Sequence, residues 1–555
     1  EVEQPSLPDV FEQASRISSW SWHPLVSIVM TTSDTPVSLL RECLDSVLAQ
    51  SYPHWELCIA DDASVCTEVR TLLSGYAKRE ARIKLRMRER RSQVSRASND
   101  ALELACGDFI ALLDQEGVLA RHALFTLVEA LQERPASQIL YSDEDRVGAD
   151  GSRCDAFFKP DWSSDLLRSH NYVSHLLMLR RDLVETVGGF RDGFEGSEHY
   201  DLLLRCLAHL KDRAAVLHVP SVLYHWRKPL NSTPAAHEQK PMETESARRA
   251  LQEHADVCSP GVHVSVIAPG LYRHRWPIPD PAPLVSLIVP TRDGLHLLHR
   301  CIDSIVQRTT YPHYEILVVD NQSADRETLA YLELLPVVSR GRVRVLSYDH
   351  RFNYAAINNH ATRHARGTVL GLVNNDVEVI SPDWLTEMTS HTVREEIGCV
   401  GAKLYYPDET IQHAGIVLNG EGVARHPHKH VERGSEGYFS QLRVVRNVSA
   451  VTGAVLLVRK AVYEAVGGMD EEHLEVAFSD VDLCLKVRAA GLSNLWTPFA
   501  EFYHHEAKTR GSDTAPEKQA RLQREAEVMK TRWGRLLERD PFHSPNLALL
   551  RQEFR

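Results

Sequence analysis

The sequence predicts an α/β protein made of two tandem copies of one mostly parallel-sheet domain, followed by an amphipathic C-terminal helix. Three observations predict it. First, the chain repeats itself: residues 25–64 read PLVSIVMTTSDTP…CLDSVLAQSYPHWELCIADDAS and residues 283–323 read PLVSLIVPTRDGL…CIDSIVQRTTYPHYEILVVDNQS. The copies lie about 259 positions apart, so that Tyr52-Pro53-His54 falls on Tyr311-Pro312-His313 and Asp61 on Asp320. That spacing is too long for a solenoid unit of roughly 20–50 residues, so it marks a duplicated domain. Second, each copy opens as a short apolar run, a helix-periodic segment and a second apolar run, the pattern of a parallel sheet with crossover helices. Third, residues 515–538 carry apolar side chains at 522, 526, 529, 533 and 536/537 with charges between them.

Residues 1–24 form a lead-in carrying Trp20 and Trp22. Val26–Met30 reads as a buried strand, Ser38–Gln50 has helical spacing (Leu39, Leu40, Cys43, Val47), and Trp55–Ala60 is the next strand, ending at Asp61-Asp62. Leu284–Val289, His296–Gln307 and Glu315–Val319 repeat this. In such sheets ligands sit at the carboxyl ends of the strands, where Asp61 and Asp320 fall. The first domain is residues 25–270 and the second 284–510. Between them, residues 271–283 are rich in proline, which disfavours helix at itself and just before it, and so predict a linker. Residues 511–555 are a helical tail, with Pro516 suited to a first helical turn. The tail helix packs back on its own domain or meets a partner or a membrane surface.

Of the 555 residues, 43% are apolar and 25% charged, ordinary for a globular chain. A net charge of −12 excludes bulk nucleic-acid binding, which wants a basic excess. The ten cysteines form no CxxC pair, which fits a reducing compartment, with Cys43, Cys58, Cys301 and Cys484 as core residues. No apolar run approaches the roughly 20 residues of a membrane span. The expected location is the cytoplasm or the inner face of the cytoplasmic membrane, with at most peripheral association. The chain starts at Glu1 without methionine or signal peptide, as an excised piece of a longer protein would.

In the second copy the run Thr368–Val373 stops at Asn374-Asn375-Asp376. An acid at a strand end can hold a hard cation shared with substrate phosphates, or form a plain Asx turn. Asp480, opening a helix, reads either as an N-cap or as a general base aimed into a cleft. Glu501-Phe502-Tyr503-His504-His505 ends a further strand, and a histidine there could complete a metal site with Asp376. No GxGxxG follows either first strand, which argues against a dinucleotide-binding dehydrogenase. Three features are weaker. His426-Pro427-His428-Lys429-His430 reads as a metal tract or a loop, Asp143-Glu144-Asp145 as a second acidic cation site, and Asn231-Ser232-Thr233 as a glycosylation pattern without meaning in the cytoplasm.

Together these features resemble family 2 of the nucleotide-sugar glycosyltransferases, which have the Rossmann-like GT-A fold. In the second copy the resemblance rests on VSLIVPTRDG, YEILVVDNQS, FNYAAINNHA, LVNNDVEVISPDWL, IQHAGIVL, VTGAVLLVRK, VGGMDEEH, SDVDLCLKVRAAG, FAEFYHHE and DPFHSPNL. In the first it rests on WELCIADDAS, LLDQEGVL, YSDEDRVGADG, FFKPDW, VGGFRDG, YDLLLR and VLYHWR. It looks like the tandem enzymes that assemble bacterial surface polysaccharide, including rhamnosyltransferases, or that glycosylate surface proteins such as flagellin. The resemblance implies a nucleotide-sugar donor, a divalent metal (Mn2+ or Mg2+) and a glycan, lipid-linked glycan or protein acceptor. It makes Asp320 and Asp61, with Asp62, Asn374, Asn375 and Asp114, the nucleotide-sugar-binding residues. It makes Asp376 the last acid of a DxD-type metal motif that here reads NND, and His504 the late metal-binding histidine. Asp480 matches the base of the family's ED motif; an Asp titrates near 3.9 and is ionised near neutrality, so it can take the acceptor's proton in one inverting displacement.

The first copy departs from this pattern. Leu113-Asp114-Gln115-Glu116 aligns with Val373-Asn374-Asn375-Asp376, placing Glu116 at the metal position and His225 opposite His504. His199 stands at the base position, with Glu198 as a substitute. The resemblance also suggests that Asp143-Glu144-Asp145 lies near the sugar or acceptor pocket. The second domain is therefore expected to be the surer catalyst. Two other readings stand beside it: a bifunctional polymerase with two active sites, and a first domain that only holds acceptor or partner.

Overall fold

A computed structural model of the chain describes residues 10–148, 150–210, 212–227, 234–420, 422–505 and 516–547, with the side chains of residues 213 and 234–240 left aside. The pattern Asn231-Ser232-Thr233 lies outside the described residues. The chain divides into two compact units. The first holds the chain up to Trp162, His170–His274 and Ser544–Leu547; the second holds Ser163–Ser169 and Arg275–His543.

The first unit's strands lie in the order Ile83–Met87, Trp55–Asp61, Val26–Thr32, Phe109–Leu112, Leu177–Arg180, Ile139–Val147, Val216–Arg227, Val118–Leu119. In the second unit the order is Val343–Ser347, Tyr314–Asp320, Val285–Thr291, Val369–Val373, Val455–Arg459, Ile397–Tyr405, Ser493–His504, Val377–Val379. The two orders correspond strand for strand. In each, four of the seven pairings are parallel, and the antiparallel ones fall in the second half of the sheet. Each unit is thus the Rossmann-like GT-A domain expected from the sequence. Val285–Thr291 and Tyr314–Asp320 are buried along nearly their whole length, as parallel strands covered on both faces should be.

The duplication reaches individual hydrogen bonds. Ser27 Oγ donates to Glu56 at 2.6 Å and accepts the Gly107 N–H at 2.8 Å; Ser286 Oγ donates to Glu315 at 2.7 Å and accepts the Gly367 N–H at 2.8 Å. A Cβ on Gly107 or Gly367 would lie 2.5 or 2.4 Å from the carbonyl oxygen of Leu25 or Leu284, so both positions need glycine for close approach.

Two boundaries differ from the sequence reading. Leu271–Arg275, placed in the linker, is a strand paired with His263–Ala268, because its own prolines begin only at Pro277. The lead-in contains a helix, Val10–Ser19, and Trp20 and Trp22 pack on the first unit's core. The tail helix, Pro516–Glu538, belongs to the second unit and buries Met529 and Leu537 in its core. Among the described residues no helix is long and apolar enough to cross a membrane.

Candidate functional site

In the second unit the pairing of Val377–Val379 with the end of Ser493–His504 sets Val377 opposite His504. This brings Asp376 against His504, Oδ1 to Nε2 at 3.2 Å, with both residues buried at 7% and 6% exposure. The His504 Nδ1 is buried with no hydrogen-bond partner among the described residues. Asp376 opens on a cavity of about 430 Å³ lined also by Thr291, Arg292, Asn321, Tyr354, Asn374 and Asn375. Asn375 donates to Thr291 Oγ1 at 3.1 Å, and the Asn374 N–H donates to the Ala454 carbonyl at 2.9 Å.

Asp480 lies in the first turn of the helix Ser479–Ala489. Its Oδ2 accepts the Gly453 N–H at 2.8 Å and its Oδ1 the Val481 N–H at 2.9 Å. The carbonyl of Gly453 in turn accepts the hydroxyl of Tyr354, a cavity-lining residue, at 3.0 Å. The base candidate is therefore tied to the cavity wall through one residue, Gly453.

Asp320 ends its strand as expected but turns away from the cavity. Its carboxylate accepts the Ser323 N–H at 3.1 Å and hydroxyl at 2.6 Å, an Asx turn. Asp61 does the same with Ser64 and is fully buried. The side chains that line the two cavities are the next ones along, Asn321 and Asp62. Asn321 donates to the carbonyls of Tyr348 and His350, at 3.0 and 2.7 Å, while its buried Oδ1 has no partner among the described residues. Asp62 pairs with Arg88 at 3.1 Å and accepts the Ser92 N–H.

The first unit is built differently. Its cavity, about 440 Å³, is lined by Asp62, Asp114, Gln115, Glu116, Glu198 and His199, with Arg227 as the one lysine or arginine on its wall among the described residues. Glu116 and His225, placed as a metal pair by the sequence, are not brought into contact: His225 Nδ1 bonds Asp145 at 2.6 Å instead. An extra residue, Gly117, separates Glu116 from Val118, the residue opposite His225, so Glu116 is displaced by one position. A Cβ on Gly117 would meet the Tyr224 hydroxyl at 2.1 Å; that hydroxyl fills the space and donates to Asp114 at 3.0 Å.

Sequence reasoning missed His175 in this copy. Its Nε2 meets Asp114 at 3.1 Å and its Nδ1 meets Glu144 at 3.2 Å. Burial alone would lower its pKa, but these two carboxylates outweigh that and raise it to about 10. Asp114, His175 and His199 offer ligand atoms within 4.8 Å of one another, the only such metal-capable group among the described residues. The signal was available in the alignment of copies, since His175 stands where the second copy has Ala454.

Asp143-Glu144-Asp145 does not converge on one cation. Successive strand residues face opposite ways, so Asp143 takes His218 at 2.9 Å, Glu144 takes His175, and Asp145 takes His225 and Arg153. The histidines of 426–430 likewise diverge: His426 meets His413 at 2.9 Å, His430 stacks on Tyr406, and burial first of all lowers the pKa of His428 to about 3.

The family described as Glycosyl transferase family 2 matches residues 27–188 and 286–464, one stretch in each unit and together more than half of the chain. Protein y4gI of Sinorhizobium fredii (strain NBRC 101917 / NGR234) is 47% identical over 96% of this chain and 58% of its own length. The O-antigen biosynthesis protein RfbC of Myxococcus xanthus is 39% identical over 90% of this chain and 39% of its own. The chain thus spans between two fifths and three fifths of these relatives. The solved structure of GalNAc-T7 with UDP, GalNAc and Mn2+ covers 47% of this chain and 51% of that one at 14% identity and a TM-score of 0.38, too slight a likeness to say anything of this chain. On the family match, in both of its copies, the chain belongs to glycosyl transferase family 2.

Proposed function

We propose that the chain moves a sugar from a nucleotide-sugar donor to a hydroxyl of a glycan or protein acceptor, with inversion, and that the second unit performs the transfer. The setting is bacterial surface-glycan assembly, in keeping with the O-antigen role in the name of the Myxococcus relative. The observation that carries this reading is the buried contact of His504 with Asp376, which lines a cavity together with Asn321 and Arg292.

A carboxylate oxygen beside an imidazole nitrogen, with the second ring nitrogen unpartnered, fits a divalent cation such as Mn2+ or Mg2+. When bound there, the ion would act as a Lewis acid and template for the donor diphosphate. In this reading the Asn321 Oδ1, which has no partner among the described residues, accepts an N–H from the donor's base. Asp480, oriented by two backbone N–H groups, takes the proton of the acceptor hydroxyl. The oxygen then bonds to the anomeric carbon, the bond from that carbon to the phosphate oxygen breaks, and the nucleoside diphosphate leaves with the electron pair. The first unit, with a different ion-pair arrangement at these positions, binds without turning over.

The test is a panel of nucleotide-sugars screened for thermal stabilisation with Mn2+ present, since a ligand of the folded state raises apparent stability. A stabilising donor should be consumed when acceptor is added, chelation with EDTA should stop transfer, and Asp376→Asn should not recover it with added Mn2+. A panel in which no nucleotide-sugar binds or reacts sinks the reading.

A further inference from the structure

We propose that the helix Pro516–Glu538 forms a working wall of the second unit's donor cavity, with Lys518 and Arg521 holding the donor's diphosphate and Glu525 positioning the chain that leads into Asp480. This rests on the reading of the second unit as the donor site. Lys518, Arg521 and Leu522 line the same cavity as Asn321 and Asp376. Lys518, Arg521 and Glu525 recur at three- and four-residue spacing, so they share one face of the helix.

Charge balance favours this assignment. A nucleoside diphosphate brings more negative charge than one divalent cation offsets, and Asp376 adds to it. The NND sequence has given up the first acid, and among the described residues the cavity is lined by Arg292, Lys518 and Arg521 together with Asp376. Charge-assisted bonds to phosphate oxygens are among the strong ones. Arg521 is available for them: its ion pair with Glu525 is long at 3.8 Å, and among the described residues its Nε has no hydrogen-bond partner. Among the described residues the first unit's wall instead has four carboxylates and Arg227, with Arg88 and His175 paired to Asp62 and Asp114.

The helix is also latched to the catalytic segment. Glu525 accepts the Ala477 N–H at 2.6 Å and the Val476 N–H at 3.3 Å. Arg532 reaches Asp482 at 2.8 Å and Asp470 at 2.5 Å, and the Trp533 Nε1–H donates to Asp482 at 2.9 Å. Asp482 sits on the Asp480 helix, so the element that offers the cations is fixed to the element that offers the base.

The experiment titrates the full chain, with Mn2+ present, with UDP, GDP and dTDP, each against its monophosphate. Wild type is compared with Lys518→Gln, Arg521→Gln and the double variant. Each cation removed should weaken the preferred diphosphate about tenfold, the size of one charge-assisted bond, while the monophosphate changes by less than about threefold. Amide exchange at Val476 and Ala477 should stay as in wild type. An unchanged preference for diphosphate over monophosphate in the double variant overturns the inference. So does an equal loss for both ligands with faster exchange at those amides, which would mark the cations as structural. If wild type binds no diphosphate, the donor reading itself falls and takes this inference with it.

Discussion

Asp480→Asn is the substitution on which the assignment of the second unit turns. Both carboxylate oxygens accept a backbone N–H, from Gly453 at 2.8 Å and from Val481 at 2.9 Å. An amide has one acceptor oxygen and one NH2. Whichever way it turns, a donor faces a donor, and one charge-assisted bond is lost at about 2 kcal/mol. That cost falls on the start of the helix Ser479–Ala489 and leaves the sheet and the wall beyond Gly453 intact. Loss of a general base slows the chemical step about 10²–10⁴-fold. The variant should therefore bind nucleoside diphosphate much as wild type does, unfold slightly earlier and lose transfer. The assay is donor consumption with acceptor present, run in a Glu198→Gln, His199→Ala background so that the first copy adds nothing. Wild-type turnover when Asp480→Asn is added to that background would refute the argument, since no other carboxylate is then assigned to the proton.

Further outcomes follow from the same contacts. Glu525→Ala should speed amide exchange at Val476 and Ala477 about tenfold or more, with transfer falling more than diphosphate affinity; unchanged exchange would remove the latch. Burial pushes the Asp470 carboxyl up, but the Arg532 guanidinium and the N–H groups of His473 and Glu472 outweigh it and hold it at about 2. A depressed acid stabilises the fold above its unfolded value near 3.9 and loses that effect as pH falls to its folded value. Asp470→Asn should therefore cost about 2 kcal/mol at pH 6, and the gap should close towards pH 2 in denaturant titrations. Ser286→Ala strands the buried Gly367 N–H, at about 1–3 kcal/mol, while the Glu315 Oε1 keeps the Arg366 N–H at 2.8 Å. Ser27→Ala should cost the same in the first unit, and clearly unequal losses would show that the two networks are not equivalent.

The first half of each sheet was legible because its order is local. A strand, a helix and a strand within some forty residues leave an apolar pattern that can be read directly, and Val26–Thr32 with Trp55–Asp61 fell close to their expected limits. The second half was not legible. Ile397–Tyr405 is buried from end to end and pairs in parallel with Ser493–His504, far along the chain, and nothing in an apolar run names its partner. The pairing of Val377 with His504 is of this long-range kind. Periodicity alone could not have placed Asp376 beside His504; the resemblance to a known family suggested it. Asp320 shows the converse failure, since a strand-end position is readable while the direction of its side chain depends on Ser323 three residues later. Lys518 and Arg521 were passed over as ordinary charges on the polar face of an amphipathic helix. Sequence does not reveal that this face has the cavity beneath it.

The duplication acquires its meaning from charge rather than from fold. Both units keep the same strand order, the same serine–glutamate network and the same close-packed glycines. They diverge at the cavity wall. One extra residue, Gly117, moves Glu116 off the position opposite His225, Tyr224 fills the space, and His175 is clamped between Asp114 and Glu144. At the aligned positions the second unit has Asn374 and Ala454, so no such ion pair forms there and the asparagine backbone bonds the alanine carbonyl instead. Among the described residues the first wall carries four carboxylates, but Asp62 is paired with Arg88 and Asp114 with His175, so its excess of negative charge towards a diphosphate rests on Glu116 and Glu198. A wall of three cations and one carboxylate attracts it. Swapping the sign at one place, with Lys518→Glu and Arg521→Glu together, should make the second cavity behave towards UDP, GDP and dTDP as the first does.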